Sequence, residues 1–244
     1  PLAGLGVGYQ SRGVAVLRDG RWTTFDAKHG GPVGSYTLAR TRTRAGVEML
    51  WSGSFQGLAR YDGRRWFVEG SEPGPPRSEV SVLHVSPDRG EGTTLWVGMR
   101  GNGAWWRNLD RPGAAWERLD DTTEPALPSR VVTGITEDNY GRIYLLTGHG
   151  VARLTPRLRA PAGTSRFDLD VYTVEDGLPA NHGNYEGAIT DSHGRIWAST
   201  MKGVAVFDPR REVLDRTPKP LHLERAWRAR SNQPLAARRE LAHS

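Results

Sequence analysis

The sequence contains no cysteine, which excludes disulfide bonds and thiolate metal sites from this chain. Its apolar residues nowhere form the run of roughly 18 residues that a membrane-spanning helix requires. It also lacks a phosphate loop, a dinucleotide-binding fingerprint, a serine-nucleophile motif and, among its seven histidines, the spacing of a metal site. We therefore predict no catalytic residue, no metal and no cofactor in this chain.

The net charge of +6 is unevenly distributed along the sequence. Residues 210–244 hold nine basic and four acidic residues, so this segment carries +5 and the repeats before it carry about +1. The excess of positive charge is therefore a property of the end of the chain. Because no basic binding face is indicated elsewhere, we predict no nucleic-acid partner.

Five copies of one short pattern make up most of the chain. In its fullest form, at residues 191–208, an Asp-x-x-Gly turn leads to an aliphatic–aromatic pair, a second turn ending in Gly, and an alternating apolar run. The glycine of the second turn recurs at Gly13, Gly57, Gly103, Gly150 and Gly203. The steps between them are 44, 46, 47 and 53 residues, and short strands with such a period are typical of the four-stranded blades of a β-propeller.

Each repeat can be divided into four strands, A to D. In the last repeat, residues 185–190, 196–200 and 204–208 predict strands A, B and C, while residues 169–174 predict strand D of the preceding repeat. The turn glycines suit tight links between antiparallel strands, which require positive φ. The aromatic residues of strand B are predicted to pack between blades; they are Trp51, Trp96, Tyr144 and Trp197, and the first repeat has none.

These motifs resemble the two-component regulator propeller repeat. That family carries the core D-x-x-G-x-[IL]-W-[IV]-G-T-x-x-G-[LV], with a G-L-P or G-L turn and an Asn. This chain has D-S-H-G-R-I-W at residues 191–197 and E-D-G-L-P-A-N at residues 175–181. The resemblance covers Gly6 to about Arg216 and is strongest in the last two repeats. Residues 218–235 resemble the opening strand and hairpin of the three-tyrosine β-sandwich that commonly follows such propellers, although none of the tyrosines that name it is present.

We therefore predict an all-β fold, a β-propeller of four-stranded antiparallel blades at residues 1–216, followed by the start of a β-sandwich or a tail at residues 217–244. Five repeats, the first incomplete at its amino end, could close as a five-bladed ring or form part of a seven-bladed one. The family usually builds seven blades. We accordingly favour part of a larger ring and expect the chain to be a piece of a longer polypeptide.

The resemblance also implies a function. It indicates the extracytoplasmic sensor region of a bacterial two-component receptor, often a hybrid histidine kinase, on the periplasmic or extracellular side of the inner membrane. It implies contact with the membrane only through the parent chain, and a homodimer formed through the downstream domain. Two other functions stay open: a propeller lyase or glycoside hydrolase, which needs His/Glu or paired carboxylates at the channel, and a protein-interaction platform, which needs an exposed apolar patch.

The turns and loops at one end of the blades are where a ligand is expected. In a four-stranded meander the B–C turns and D–A loops share one face, and ligands bind where such loops converge. The polar candidates on this face are Arg12, Gln56, Arg77, Arg100, Asn102, Arg130, His149, Asn181, His182 and Lys202. Donors with few carboxylates suit an oligosaccharide, such as a uronic acid, or another anion. Turn tips are also polar because they face water, and Asn181 can alternatively serve to bond the backbone of its own turn.

Overall fold

The computed structural model describes residues 5–70, 74–87, 89–90, 92–157, 159 and 165–212. In these ranges the helical segments are three short 3₁₀ turns, at Ala27–His29, Val174–Asp176 and Pro209–Arg211. No helix of this part of the chain is long and apolar enough to cross a membrane. The predicted boundary at residue 216 and the segment 217–244 lie outside the described residues.

The described strands form five antiparallel sheets, each a meander in chain order, within one compact unit that ends at Arg210. Blade 1 contains β1 (Leu5–Tyr9), β2 (Gly13–Arg18) and β3 (Arg21–Phe25). Blade 2 contains β4 (Thr37–Arg42), β5 (Glu48–Ser54), β6 (Gly57–Tyr61) and β7 (Trp66–Val68). Blade 3 contains β8 (Val80–Ser86), β9 (Thr94–Met99), β10 (Ala104–Asn108) and β11 (Glu117–Leu119). Blade 4 contains β12 (Val132–Glu137), β13 (Ile143–Thr147), β14 (Gly150–Pro156) and β15 (Phe167–Tyr172). Blade 5 contains β16 (Gly183–Thr190), β17 (Ile196–Thr200) and β18 (Gly203–Phe207).

This arrangement confirms the predicted all-β fold and the division of the repeats into strands A to D. Blade 1 begins at strand B, as its incomplete repeat predicts, and blade 5 has strands A to C among the described residues. Strand D of blade 4 begins earlier than predicted, because the pairing of β14 with β15 extends to Pro156 and Phe167. The inner strands β4, β8, β12 and β16 lie side by side, which arranges the blades around one axis.

The B–C turns are built by one recurring set of hydrogen bonds. In blade 4, Thr147 Oγ1 donates to the Gly150 carbonyl over 2.7 Å and accepts from the His149 backbone N–H over 3.1 Å. Ser54 and Thr200 make the same pair of bonds in blades 2 and 5. Gly150 has φ of +100°, and a Cβ there would overlap the Tyr172 carbonyl oxygen. At this position glycine is therefore required by both its dihedral angle and its close approach to strand D.

The repeated aspartates hold the A–B turns, as their recurrence predicts. Asp138 Oδ1 accepts from the backbone N–H groups of Tyr140 and Arg142. Its other oxygen accepts from Arg142 Nε over 2.6 Å and from the Tyr144 hydroxyl over 3.1 Å. Asp191 repeats this pattern in blade 5, where Trp197 replaces the tyrosine as the aromatic donor. The carboxylate thus fastens the turn to the aromatic residue of strand B.

The aromatic residues of strand B pack between blades in the interior of the array. Trp51, Trp96 and Tyr144 are 0%, 3% and 1% exposed. Trp96 stacks on Trp106 with ring centroids 5.0 Å apart, and both rings contact Phe167 of the next blade. This confirms the packing predicted for these residues.

The last blade differs from the inner ones. Trp197 takes the equivalent place but is only half-buried. On the same face of blade 5, Ile189, Val204 and Val206 are 59%, 55% and 48% exposed. Within the described residues no further blade covers this face and the sheets do not close into a ring. The structure is therefore a partial propeller.

Candidate functional site

A cleft of about 460 Å³ opens over blade 3 on the face formed by the B–C turns and D–A loops. Its polar and aromatic lining consists of Arg77, Asn102, Trp105, Arg118, Asp120, Thr122 and Arg130. We call it the arginine cleft. Arg77 comes from the loop before blade 3, Asn102 from the β9–β10 turn, and Arg130 from the loop before blade 4. Loops from both sides of one blade therefore converge on the cleft.

Arg77 is held in place by close contacts with two glycines. A Cβ at Gly70 would lie 2.5 Å from Arg77 Cγ, and one at Gly57 would lie 3.2 Å from Arg77 Cα. Because Gly70 and Gly57 have no side chain, the backbone and side chain of Arg77 can approach them closely. Among the described residues, Arg77 has no carboxylate partner. Its guanidinium thus brings an uncompensated positive charge to this part of the cleft.

The other two arginines of the cleft are held by carboxylates. Arg118 Nε lies 3.2 Å from Asp120 Oδ2, and Arg130 forms an ion pair with Asp121 that raises the pKa of the arginine. Burial opposes ionisation of Asp120, but hydrogen bonds from Thr122 and the nearby arginine charges together lower the pKa of this carboxyl. Among the described residues, three arginines therefore face two carboxylates, which leaves a net positive charge in that part of the cleft.

Trp105 supplies an aromatic surface beside these charges. Its indole N–H donates to the Asn102 carbonyl over 3.0 Å, which ties strand β10 to the tip of its own turn. The Arg118 guanidinium carbon lies 5.8 Å from the Trp105 ring centroid, within the range of a cation–π interaction. An aromatic ring next to arginines can contact the apolar face of a sugar while the arginines bind its carboxylate.

A second polar cluster lies beside the cleft, where blades 3 and 5 face each other near the axis. Arg100 Nη1 is 3.8 Å from Glu79 Oε1, and its guanidinium carbon is 5.4 Å from the Tyr185 ring centroid. Burial and the Glu79 carboxylate raise the pKa of the Tyr185 hydroxyl, against the opposing charge of Arg100. The Gly101 backbone N–H donates to the Arg130 carbonyl over 3.1 Å, which links this cluster to the cleft.

Tyr185 reaches this position because strand A of blade 5 is irregular. The pairing of β16 with β17 passes from Gly183–Thr200 to Ala188–Ala198, so four residues oppose the single residue Ser199. Glu186, within this bulge, has φ of +49°, a left-handed backbone conformation that is strained for a residue with a side chain. The bulge moves Tyr185 out of the regular pleat, and it is half-exposed.

The structure brings together four of the ten predicted site residues. Arg77, Asn102 and Arg130 line the arginine cleft, and Arg100 lies beside it. Gln56 is exposed at its turn and lines a neighbouring cavity, also of about 460 Å³, which Arg77 shares. These five positions define a continuous polar region over blades 2 and 3.

The remaining predicted residues do not line either cavity. Arg12, His149, His182 and Lys202 are exposed at other turns and loops of the same face, and their roles stay predictions. Asn181 has a structural use: its side-chain oxygen accepts from the Val174 N–H over 2.8 Å and its carbonyl accepts from the Gly150 N–H over 2.6 Å. The alternative interpretation of Asn181 as a turn residue therefore describes its contacts.

Five residues of this region were not among the candidates: Glu79, Trp105, Arg118, Asp120 and Tyr185. Trp105 and Arg118 lie on strands β10 and β11, whereas the candidates were drawn only from turns and loops. An Asp or Glu close to the predicted arginines could have indicated ion pairs. The position of Tyr185 depends on the β16 bulge, which has no recognisable sequence signal.

The described residues also contain one close His–Glu pair outside this face. His84 Nε2 lies 3.6 Å from Glu137 Oε2, and Arg89 Nε lies 3.0 Å from the other oxygen of Glu137. Burial opposes ionisation of Glu137, yet His84, Ser86 and Arg89 lower the pKa of its carboxyl. The pair joins β8 to β12 near the A–B turns, at the opposite end of the blades from the arginine cleft. In the described part of the chain, no group of three or more acidic or histidine side chains is arranged to hold a metal ion.

Comparison with solved structures shows the same fold. Two structures of the extracellular domain of BT4673 from B. thetaiotaomicron, described as a one-component or a hybrid two-component system, match at TM-scores of 0.58 and 0.59 with 16% identity. They cover 80% and 82% of this chain, which spans 25% of each of them. PorZ, a surface component of the type-IX secretion system of Porphyromonas gingivalis, matches at a TM-score of 0.53 and 12% identity, over 82% of this chain and 30% of its own. No protein-family model matches the sequence, and no curated protein does.

Proposed function

We propose that this chain is the ligand-binding part of an extracytoplasmic sensor propeller in a bacterial two-component receptor, and that it acts without catalysis. The fold it shares with the BT4673 extracellular domain supports this assignment. The observation that carries the proposal is the arginine cleft, which combines concave shape, an aromatic wall and a net positive charge at a place where loops converge. The proposal locates the domain on the outer side of the inner membrane.

The chemistry of the cleft favours an acidic oligosaccharide. A uronic acid carries one carboxylate per sugar, which can form charge-assisted hydrogen bonds with Arg77 and Arg130. Trp105 offers a flat surface for the sugar ring, and Asn102 adds an amide that can bind hydroxyl groups. Because Asp120 and Asp121 already engage two of the arginines, Arg77 is the residue expected to discriminate most strongly in favour of an anion.

The test is a thermal-shift and calorimetric titration of the chain with trigalacturonate, with maltotriose as the neutral comparison. A ligand at 100 times its Kd should stabilise the fold by about 2.7 kcal/mol. Arg77→Ala should weaken trigalacturonate binding by about tenfold or more, because it removes a charged hydrogen-bond donor. Lys28→Ala, an exposed cationic residue in the D–A loop of blade 1 and outside the cleft, is the control and should leave the affinity unchanged.

Three outcomes contradict the proposal in distinct ways. Equal effects of Arg77→Ala and Lys28→Ala would show only general attraction of an anion to a basic surface. Binding of maltotriose as strong as that of trigalacturonate would remove the charge argument. Degradation of the sugar during the titration, abolished by a change in His84 or Glu137, would support the enzyme hypothesis in place of sensing.

A further inference from the structure

A more apolar cavity, of about 450 Å³, opens between blades 1 and 2. Val16 and Phe25 of blade 1 form one wall, and Leu38, Leu50 and Tyr61 of blade 2 form the other. The Phe25 and Tyr61 rings contact each other with centroids 5.0 Å apart and give the cavity an aromatic side. None of these residues lines the arginine cleft, so the cavity is a separate feature.

The strand register explains why this wedge is open. In each blade, the third residue after the repeated glycine pairs with one residue of strand B. In blades 2, 3 and 4 that strand-B residue is Trp51, Trp96 or Tyr144, and each is buried against the next blade. In blade 1 the same pairing joins Val16 to Gly6. The first blade therefore has no side chain at the position where the inner blades insert an aromatic ring.

The geometry around Gly6 agrees with this interpretation. A Cβ built there would lie 3.5 Å from Leu38 Cδ1, an ordinary van der Waals distance, so this position points towards blade 2 without being obstructed. Gly6 is exposed, while Val16, Leu38 and Leu50 are only half-buried. The inner interfaces bury the residues around their aromatic ring. The first interface thus presents unfilled apolar surface with an opening to solvent.

The charged residues of the cavity make it favour an anionic ligand. Arg40 Nη2 lies 2.7 Å from Glu48 Oε1, which compensates its charge. Arg18 is exposed and has no acidic partner among the described residues. One uncompensated guanidinium therefore stands at the mouth of an aromatic and aliphatic wedge. This combination matches a molecule with a flat apolar body and a single anionic group.

We propose that the wedge between blades 1 and 2 binds a small amphipathic anion, such as an aryl carboxylate. Its ring system takes the place of the aromatic side chain that Gly6 lacks, and its carboxylate pairs with Arg18. This site is independent of the proposed sugar-binding function. It lies between the strands of two blades rather than over the turns, so both ligands can be bound at once.

The experiment is calorimetric titration of the whole chain with 2-naphthoate, and with 2-naphthalenemethanol as a neutral compound of the same shape. We expect saturable 2-naphthoate binding below about 1 mM and weaker binding of the alcohol. Arg18→Gln should weaken 2-naphthoate binding by about tenfold and leave the alcohol unaffected, because only the anion uses the guanidinium. Lys28→Gln, in the loop after β3 of the same blade and outside the cavity, should change neither.

Gly6→Trp supplies the missing ring and should abolish binding of both compounds, whereas Gly6→Ala adds only one methyl group and should retain it. Circular dichroism checks that each variant is folded. If Gly6→Trp does not fold, the effect of Arg18→Gln on 2-naphthoate binding tests the proposal instead. Failure of the wild-type chain to bind 2-naphthoate overturns the proposal. So does binding that persists in a folded Gly6→Trp variant, or equal losses in Arg18→Gln and Lys28→Gln.

Discussion

Asp138 and Asp191 make equivalent hydrogen bonds at the same turn of two consecutive blades, but in different surroundings. The Asp138 side chain is 0% exposed, beneath the interface of blades 4 and 5, whereas the Asp191 side chain is 17% exposed on the last blade. We predict that Asp138→Ala destabilises the chain much more than Asp191→Ala. The turn hydrogen bonds are the same at both positions, whereas burial and the aromatic donor, Tyr144 or Trp197, differ.

The expected loss of unfolding free energy for Asp138→Ala follows from the groups that lose their hydrogen-bond partner. The substitution removes the carboxylate that accepts from Arg142 Nε and from the Tyr144 hydroxyl, and the Tyr144 side chain is 1% exposed. Removing one partner of a buried ion pair costs about 3–5 kcal/mol. Asp138→Asn keeps an acceptor but loses the charge, so it should cost less, on the order of 1–3 kcal/mol. Tyr144→Phe tests the hydroxyl alone and should couple with Asp138→Ala by about 0.5–3 kcal/mol.

The assay is urea unfolding of the full chain, followed by tryptophan fluorescence and by circular dichroism. Agreement of the two probes establishes that a single transition is being compared, which is not guaranteed for a repeat protein. The reasoning fails if Asp191→Ala lowers the urea midpoint as much as Asp138→Ala. It also fails if the effects of Tyr144→Phe and Asp138→Ala add without coupling, because the two groups would then not share a hydrogen bond.

Three further predictions follow the same design: two compare a pair of positions, and the third compares one substitution at two pH values. Trp96→Ala should cost about 3–5 kcal/mol in urea unfolding, because the ring is buried between blades, whereas the half-exposed Trp22→Ala should cost no more than about 0.5 kcal/mol. Gly150→Ala should destabilise more than Gly177→Ala as measured by Tm: both glycines have φ of +100°, but only at Gly150 does a Cβ overlap a carbonyl oxygen. The folded-state pKa of Glu137 is lowered, so its stabilising contribution is complete above the unfolded value of about 4.3 and is lost as the pH falls through the folded value. Urea midpoints of wild type and Glu137→Gln should accordingly differ more at pH 6 than at pH 3, and an equal difference at both would exclude this role for the carboxylate.

Much of the fold could be predicted from the sequence because the repeat is local. The turn glycines, Asp138 and Asp191, and the strand-B aromatics all act within one blade or against its immediate neighbour. Their spacing in the sequence therefore predicts both the strand pairing and the packing between blades. The half-buried state of Trp197 could not be derived in this way, since burial depends on what lies beyond the last blade.

The site was only partly predictable for the opposite reason. Topology alone placed Arg77, Asn102 and Arg130 on one face, and the structure joins them in one cleft. Which of the face residues converge depends on loop conformations that have no short sequence signature. The contribution of Arg118 depends on the pairing of β11, and that of Tyr185 on a bulge in β16.

Two departures from the repeat create room for a ligand in this chain. In blades 2, 3 and 4 each strand-B ring is buried against the face of the next sheet and fills the interface around it. Where a repeat departs from the pattern, that match fails locally: Gly6 leaves a wedge unfilled, and the bulge around Tyr185 brings a side chain from blade 5 to Arg100 of blade 3. The regular positions consequently determine stability, and the irregular ones are free to determine binding. Substitutions at Trp51, Trp96 or Tyr144 should then lower Tm with no effect on ligand affinity in the molecules that stay folded. Substitutions at Arg18 or Arg77 should do the reverse, and a residue of either group that changes both properties to a similar extent would contradict this division.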